Sequence, residues 1–176
     1  MPSDTLLKTT RLSLRVPDKS DASALLSLFN QPDFIDNIRD KNIRTIADAE
    51  AEIENVIHEH YQAHGFCLYA MDYADTACVG LCGLIKRPEL AYPDIGFATR
   101  TEFQNLGLTT EACIAIVSHA TEQLGLLKLA AIANPDNMAS ITVLNKAGFG
   151  FVDGMQLEED GPILKYFELS LTNHKT

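Results

Sequence analysis

The stretch from Asp94 to Ala112 constrains the fold of this chain more than any other part of its sequence. Residues 94–99 alternate small and apolar side chains, which is typical of a strand. From Leu108 the apolar residues recur at helical spacing, which predicts a helix to about Gln123. The turn between them, residues 104–107, ends in Gly107. A helix that starts after such a turn directs the unpaired N–H groups of its first turn to one point.

That point suits an anion such as phosphate, because free N–H groups and the positive end of the helix dipole both attract negative charge. The turn matches neither G-x-x-x-x-G-K-[ST] nor the three glycines of a dinucleotide fingerprint. These residues therefore predict a strand, a turn and a helix. They leave open whether the unit binds phosphate or only forms part of an α/β scaffold.

The remaining patterns predict a mixed chain in the order β, α, α, β, β, β, α, β, α, β, β. Helices are predicted after Asp18 or Ser20, after a capping box at Thr45, after Gly107 and over residues 136–146. Residues 34–44 have no clear period and predict a loop or a short helix. Hairpins beside one or two crossover helices imply a largely antiparallel sheet with a parallel segment. The predicted strands cover residues 11–16, 66–71, 77–85, 94–99, 128–133, 149–155 and 163–171.

Length and composition predict an ordinary globular protein. The 176 residues predict a single domain over residues 1–176, with a core from about 9 to 171. A net charge of −10 argues against nucleic-acid binding; it suits a cationic partner such as an amine, or serves only solubility. The first residues lack a signal-peptide pattern, and no long apolar run follows, so we expect a cytoplasmic protein that does not enter a membrane.

No metal site is expected from the cysteines and histidines. The four cysteines, at positions 67, 78, 82 and 113, do not follow a zinc-binding spacing and are predicted to be reduced core residues. His58, His60 and His64 lie close together, but no H-E-x-x-H pattern is present. We interpret these histidines as part of a solvated helix face.

A second stretch, Asn134 to Phe149, reads N-x-x-N-x-A-S-x-x-V-L-x-K-x-G-F. It resembles the GNAT superfamily of acyl-CoA-dependent N-acyltransferases, and within it the branch of ribosomal-protein N-terminal acetyltransferases. Residues 9–15 resemble the T-x-R-L-x-L-R start of that branch, and residues 79–84 and 124–126 resemble its I-G-x-x-G-L strand and the end of its E-L-G-L helix. Residues 104–109 resemble the Q/R-x-x-G-x-G/A pyrophosphate loop, although Thr109 replaces its last Gly or Ala and Leu106 stands where Lys or Arg is frequent.

The resemblance implies a fold and a co-substrate. The fold is a mixed, mostly antiparallel twisted sheet, splayed at two parallel central strands and flanked by helices. The co-substrate is acetyl-CoA, which lies in the splay. The strand that begins at Asp94 contacts its pantetheine arm, the loop holds its pyrophosphate, and a polar residue after the next strand contacts the arm. By this resemblance the cofactor-binding residues are Phe97, Ala98, Thr99, Gln104, Asn105, Leu106, Gly107, Leu108, Thr109 and Asn137.

Acetyl transfer to an amine needs a neutral amine, stabilisation of the carbonyl oxygen and departure of a thiolate. By resemblance, Asp94 is the predicted general base, since several superfamily members carry a carboxylate at the start of this strand. A solvated strand-edge Asp is the alternative. Many members use a Tyr as the acid where this chain has Leu144. The ribosomal branch also lacks that Tyr, and the resemblance to it implies that Ser140 stands near the thiol and acts as the acid. Capping of its own helix is the alternative role for Ser140.

The resemblance therefore implies direct acetyl transfer from acetyl-CoA to a primary amine, most simply the N-terminal α-amine of a protein or peptide. An alternative acceptor is a small-molecule amine such as a polyamine, an amino acid or an aminoglycoside. Another alternative is a CoA-binding module without turnover, because the Tyr is absent and Thr109 changes the loop. We expect a monomer or homodimer whose partner is the amine acceptor, with no nucleic acid, membrane or metal.

Overall fold

The computed structural model describes residues 4–172, which are built around one eight-stranded sheet. The spatial order of the strands is β1-β2-β3-β4-β5-β6-β8-β7. All neighbouring strands in this sheet are antiparallel except β5 and β6, which are parallel. In chain order the strands are β1 (Thr5–Lys8), β2 (Leu12–Arg15), β3 (Leu68–Tyr73), β4 (Thr76–Ile85), β5 (Asp94–Thr99), β6 (Lys128–Ala133), β7 (Gly150–Met155) and β8 (Leu164–Ser170).

The parallel strands β5 and β6 part soon after they meet. Within the described residues they share one registered pair, Asp94 with Ala130. Over its whole length β5 remains paired with β4, and β6 remains paired with β8. The sheet therefore opens between the carboxyl ends of β5 and β6. This confirms the predicted fold, a mostly antiparallel mixed sheet splayed at two parallel central strands.

The helices flank this sheet on both faces. Consecutive residues of a strand point to opposite faces, and Tyr69 and Ala70 of β3 lie in two different hydrophobic clusters. The helices are α1 (Ala22–Phe29), α2 (Pro32–Asn37), α3 (Ile46–Glu52), α4 (Glu59–His64), α5 (Leu108–Glu122) and α6 (Met138–Lys146). Apolar residues of α5 and α6 belong to the Tyr69 cluster, and those of α1 and α3 to the Ala70 cluster. None of these helices is long and apolar enough to cross a lipid bilayer.

The predicted capping box at Thr45 is confirmed. The Thr45 hydroxyl accepts the Asp48 N–H at 3.1 Å, and the Asp48 carboxylate accepts the Thr45 N–H at 3.0 Å. The helix then runs through a π-helical segment, Ile53–His58, into α4. It ends at Gly65, whose φ of 78° is the left-handed conformation that glycine adopts without a steric penalty.

Several local predictions differ from the structure; strand β3, for example, starts and ends two residues later than the predicted strand 66–71. Strand β1 precedes the predicted first strand; it is a mostly exposed edge strand and so lacks an apolar alternation. Residues 30–33 end α1 as predicted, but Pro32 also starts α2, because proline is well suited to a first helical position. Helix α6 begins at Met138 rather than at Asp136, because the side chain of Asn137 caps it.

Glycines in β4 allow the backbone to approach its neighbours closely. A Cβ atom at Gly83 would collide with the carbonyl oxygen of Cys67, and one at Gly80 would collide with the carbonyl oxygen of Ala98 on β5. Backbone atoms cannot move aside as the end of a flexible side chain can. These two positions therefore require glycine, which gives a physical reason for the glycines of residues 79–84.

Candidate functional site

A cavity of about 550 Å³ lies where the sheet opens, within the range of volumes typical for small-molecule sites. Its walls come from the carboxyl end of β5, the turn before α5, α2 with the residue before it, and α6. Nearly all of the cofactor-binding residues predicted from sequence line it, as does Ser140; Leu106 and Asp94 do not. The predicted residues in the wall are Phe97, Ala98, Thr99, Gln104, Asn105, Gly107, Leu108, Thr109 and Asn137.

The turn before α5 presents free backbone donors to this cavity. Gly107 has a φ of 77° and Asn105 a φ of 61°, so the chain turns sharply before the helix begins at Leu108. No side chain caps the first turn of α5. The hydroxyls of Thr109 and Thr99 lie 2.6 Å apart, so Thr109 ties the helix to the end of β5. The first N–H groups of α5 are thus available to an anion.

The outer side of the turn is held by the N-terminal segment. The Arg11 guanidinium donates to the carbonyl of Leu106 at 2.8 Å and pairs with the Glu111 carboxylate at 2.7 Å. Thr9 also donates to Glu111, at 2.5 Å. The N-terminal segment and the turn, about 95 residues apart in sequence, are thus in contact. Thr9 and Arg11 hold the turn from outside the cavity. Leu106 contributes a carbonyl to this contact, and its side chain is exposed.

The inner side of the turn is held by residues at the start of α2. The Gln104 amide donates to Asp33 at 2.8 Å and to the carbonyl of Thr99 at 2.9 Å. The Gln31 side chain accepts the backbone N–H of Thr101 at 2.8 Å. The side chain of Gln104 therefore positions the turn, while the N–H groups further along remain free for a ligand.

The N-terminus of α6 places two predicted residues together in the cavity wall. The Asn137 amide oxygen accepts the Ser140 N–H at 3.2 Å, and its amide nitrogen donates to the Ser140 hydroxyl oxygen at 2.8 Å. Ser140 thus takes part in capping, as its alternative role required. Because its oxygen acts as an acceptor in this contact, its own proton can be donated elsewhere. Leu144, at the position of the missing Tyr, is buried in the core.

Asp94 lies at the start of β5 and is 1% exposed. Its carboxylate accepts from Arg87 Nε at 3.0 and 3.2 Å. Burial raises the pKa of Asp94 to about 6, although the nearby charge and hydrogen bond of Arg87 act in the opposite direction. Phe97, which lines the cavity, is three residues further along the strand, or about 10 Å. Asp94 is therefore a buried carboxyl that can exchange a proton near neutral pH, beside the cavity rather than in its wall.

The histidine cluster has structural partners. His58 Nε2 lies 2.6 Å from the carbonyl oxygen of Pro17, and His60 Nε2 accepts the backbone N–H of Lys86 at 3.1 Å. Burial lowers the pKa of His60, which favours its neutral form. In residues 4–172, no three His, Cys, Asp or Glu side chains are grouped so that they could hold a metal ion.

Comparison with known protein families decides what this cavity belongs to. The family model described as "Acetyltransferase (GNAT) domain" matches residues 11–150, which is most of the chain. The chain belongs to the GNAT acetyltransferase family. It is therefore an acyltransferase whose acyl donor is acetyl-CoA.

Two relatives of this chain come from Bacillus subtilis (strain 168). The uncharacterized N-acetyltransferase YoaA is 26% identical over 148 residues, which cover 82% of this chain and 82% of that protein. The uncharacterized protein YkkB is 27% identical over 158 residues, or 86% of this chain and 88% of that one. The similarity thus extends over more than four fifths of each relative.

Solved structures share the GNAT fold of this chain. RimL, a ribosomal L7/L12 alpha-N-protein acetyltransferase solved with coenzyme A, superposes with a TM-score of 0.82 at 18% identity, covering 96% of this chain and 98% of RimL. MccE, a microcin C7 self-immunity acetyltransferase solved with acetyl-CoA and AMP, gives a TM-score of 0.79 at 19% identity, covering 92% of this chain and 93% of MccE. At these identities the likeness establishes the fold.

Some residues of this GNAT site were not recognised in the sequence. Gln31 holds the residues before the turn through a contact with Thr101, 70 residues away in sequence. Arg87 holds Asp94, 7 residues away. No local sequence pattern identifies either residue. Lys146 lines the cavity from the last turn of α6. It belongs to the family-like segment 134–149, and its position one helical turn after Thr142 and Val143 could have indicated that it shares their face.

Proposed function

We propose that acetyl-CoA binds in the cavity at the opening of the sheet. The strand residues 97–99 take the pantetheine arm, and the free N–H groups of residues 105–109 take the pyrophosphate. Asn137 contacts the arm from the start of α6. This proposal is supported by the wall of the cavity, which brings together a strand end, an uncapped helix N-terminus and a polar helix start.

We expect Gly107→Val to weaken CoA binding at least tenfold. Valine at a φ of 77° costs on the order of 1–3 kcal/mol, so the turn would shift away from this conformation and misdirect its N–H groups. Isothermal titration with CoA measures the effect.

The matched control is Gly125→Val. Gly125 also has a positive φ, 62°, but it follows α5 outside the cavity wall, and no atom lies within 4 Å of an added Cβ. Both variants should lose stability, and the Gly107 variant alone should lose affinity. Equal affinity for CoA in the two variants would show that the turn is not part of the binding site.

We propose that the acceptor is the N-terminal α-amine of a protein or peptide. The observation that carries this proposal is the superposition on RimL over 96% of the chain, together with the resemblance of residues 9–15 and 134–149 to that branch. Asn137 and Ser140 form part of the cavity wall, and Thr9 and Arg11 hold the turn of that wall from outside the cavity.

In the proposed mechanism the acetyl-CoA thioester supplies the activated acyl group. Because Asp94 is buried beside the cavity and does not line it, the proposal routes the proton of the acceptor ammonium to its carboxylate through water, since only the neutral amine attacks. Backbone N–H groups near Phe97 or Ala98 stabilise the negative charge on the carbonyl oxygen; such a donor is worth about 3 kcal/mol. As the C–S bond breaks, the attacking nitrogen gives up its second proton, and the Ser140 hydroxyl relays a proton to the leaving sulfur, so coenzyme A departs as the thiol and the hydroxyl is restored.

We expect Ser140→Ala to lower kcat about tenfold while the dissociation constant for CoA changes little, because the acid acts late on the sulfur and general acid catalysis contributes at this scale or above. The measurement is steady-state kinetics beside isothermal titration. Ser140→Thr keeps the hydroxyl and should recover part of the rate. A fall in both variants together with weaker CoA binding would assign Ser140 to helix capping alone.

The transfer is proposed to be direct, without an acetylated cysteine. Cys67, Cys78, Cys82 and Cys113 are all buried. Burial raises the pKa of Cys67 and of Cys78 to about 12, so neither forms a thiolate near neutral pH. A ternary complex of acetyl-CoA and amine therefore suits this chain better than a covalent enzyme intermediate.

A small-molecule amine is the second candidate acceptor. It is supported by the superposition on MccE, which was solved with acetyl-CoA and AMP, and by the net charge of −10, which favours cationic acceptors.

The deciding experiment uses acetyl-CoA as the donor and compares kcat/KM for several acceptors: peptides that begin with Ala or Ser, the same peptides with a blocked N-terminus, spermidine, a free amino acid and an aminoglycoside. The proposal expects transfer to the free peptides and none to the blocked ones. A preference for any of these small-molecule amines over every peptide would contradict it.

A further inference from the structure

Lys146 stands out among the charged residues at the cavity. The chain carries an excess of acidic residues, yet among the described residues Lys146 is the only Lys or Arg in the wall of this cavity. The wall contains one carboxylate, Asp33, which is already bonded to Gln104. The cavity is therefore far less negative than the protein as a whole.

The Lys146 ammonium is also free of internal partners. Most cations in the described part of the chain pair with a carboxylate, as Arg11 does with Glu111 and Lys128 with Glu168. Lys146 forms no ion pair and no hydrogen bond within residues 4–172, and it is exposed. In a protein this acidic, a free ammonium at the edge of a cavity is available to an anionic ligand.

Helix α6 fixes where this charge lies relative to the rest of the site. Ala139, Thr142, Val143 and Lys146 recur every three to four residues, so they share one face of the helix, and all four line the cavity. Lys146 is six residues after Ser140, which places it about 9 Å further along the helix axis. The two side chains therefore serve different parts of a long ligand.

Acetyl-CoA carries negative charge in its pyrophosphate bridge and in a separate phosphate on the ribose 3′ oxygen. The proposed function assigns the pyrophosphate to backbone N–H groups before α5, which leaves the ribose phosphate without a donor. We propose that Lys146 binds the 3′-phosphate and gives the enzyme its preference for CoA thioesters over their 3′-dephospho analogues. This inference rests on the proposed location of acetyl-CoA.

The test is isothermal titration with CoA and with 3′-dephospho-CoA, without any acceptor. The wild type should bind CoA about five to ten times more tightly, the scale expected for one partly exposed charge-assisted contact. In Lys146→Gln the ratio should fall below about twofold, and Lys146→Arg should keep most of it. The ratio should also shrink at high ionic strength in the wild type but not in Lys146→Gln.

Lys8→Gln is the matched control, because Lys8 is exposed on β1 and does not line the cavity. It removes the same charge and should leave the ratio unchanged. Lys146 also lies in the last turn of α6, where a cation stabilises the helix dipole, but loss of that role would lower stability without changing the ratio.

The possible outcomes separate this inference from the proposed function. A wild-type ratio near one, or a ratio retained in Lys146→Gln, would overturn the role of Lys146 and leave the cavity assignment intact. Failure of the wild type to bind either ligand would overturn both. The identity of the acceptor does not enter the measurement.

Discussion

Replacement of Asp94 by Asn is expected to lower kcat/KM for the acceptor amine by about 100-fold or more at pH 7, the usual contribution of a positioned general base. Asn has nearly the same shape and can still accept from Arg87, so the strand should stay in place. The measurement is the full pH profile of kcat/KM for the wild type and for Asp94→Asn.

The pKa of Asp94 determines the shape of that profile. Burial raises this pKa to about 6, and a base must be ionised to act, so wild-type kcat/KM should fall as the pH drops through about 6. An α-amino acceptor gives a separate rise near pH 8 as it loses its proton. Asp94→Asn should keep the rise near pH 8 and lose the dependence near 6.

Arg87 provides an independent test of this assignment. It holds the pKa of Asp94 lower than burial alone would set it, so Arg87→Met should move the acidic limb of the wild-type profile to higher pH. A profile without an inflection near 6, or full activity in Asp94→Asn, would remove Asp94 from the chemistry. In that case water would suffice as the base.

The same carboxyl also has an expected effect on stability. A raised pKa in the folded state means that the folded protein holds the proton more tightly than the unfolded chain. The stability from this group is therefore fully present below about pH 4 and is lost as the pH rises through about 6. Urea unfolding across this range should show that component in the wild type and not in Asp94→Asn.

The second large effect is expected at Arg15, where Arg15→Met should lower the free energy of unfolding by about 3–5 kcal/mol. Arg15 and Asp21 are each 1% exposed. The guanidinium donates to Asp21 twice at 2.8 Å and to Asp72 at 2.7 and 3.0 Å. Its hydrogen bonds to Asp21 and then to Asp72 raise its pKa well above the ordinary value, so it stays charged. Methionine would leave the buried Asp21 carboxylate, and the partly exposed Asp72 carboxylate, without their cation.

Urea unfolding measures this loss, and Lys19→Met is the control. Lys19 pairs with Glu54 on the surface at 2.8 Å, with both side chains exposed, so its removal should leave stability near that of the wild type. The double variant Arg15→Met with Asp21→Asn should recover part of the loss, since it removes one of the unpaired charges. If Arg15→Met were as stable as the wild type, the buried network would not contribute to folding.

The prediction of β5 shows how far local patterns reach. Its predicted bounds, 94–99, agree with the observed strand, and β6 at 128–133 agrees as well. Both are largely buried strands flanked by turn residues, so the apolar pattern identifies each strand and the turn residues mark its ends. Strand β1 has neither signal, because an edge strand with exposed side chains needs no apolar alternation.

The residues of the candidate site also fall into those that could be recognised from local sequence and those that could not. The turn could be recognised because Gly107 acts through its own backbone conformation. Asn137 and Ser140 were indicated by the family resemblance, but the predicted helix started at Asp136, and the cap formed by Asn137 was not predicted. The charged contacts could not be recognised. Arg15 meets Asp72 across 57 residues and Arg11 meets Glu111 across 100, so their pairing depends on how the sheet is assembled.

The sequence by itself determined the order of most elements after β1, the glycine turn before α5 and the family resemblance, because each depends on short-range backbone preference or on residue spacing. Only the tertiary structure decided that β5 and β6 part after one registered pair, that Asp94 is buried beside Arg87, and that Lys146 is the cation in the cavity wall. The physical reason is that burial and charge pairing are properties of residues brought together from distant parts of the chain. Folding alone fixes which of them share a low-dielectric environment.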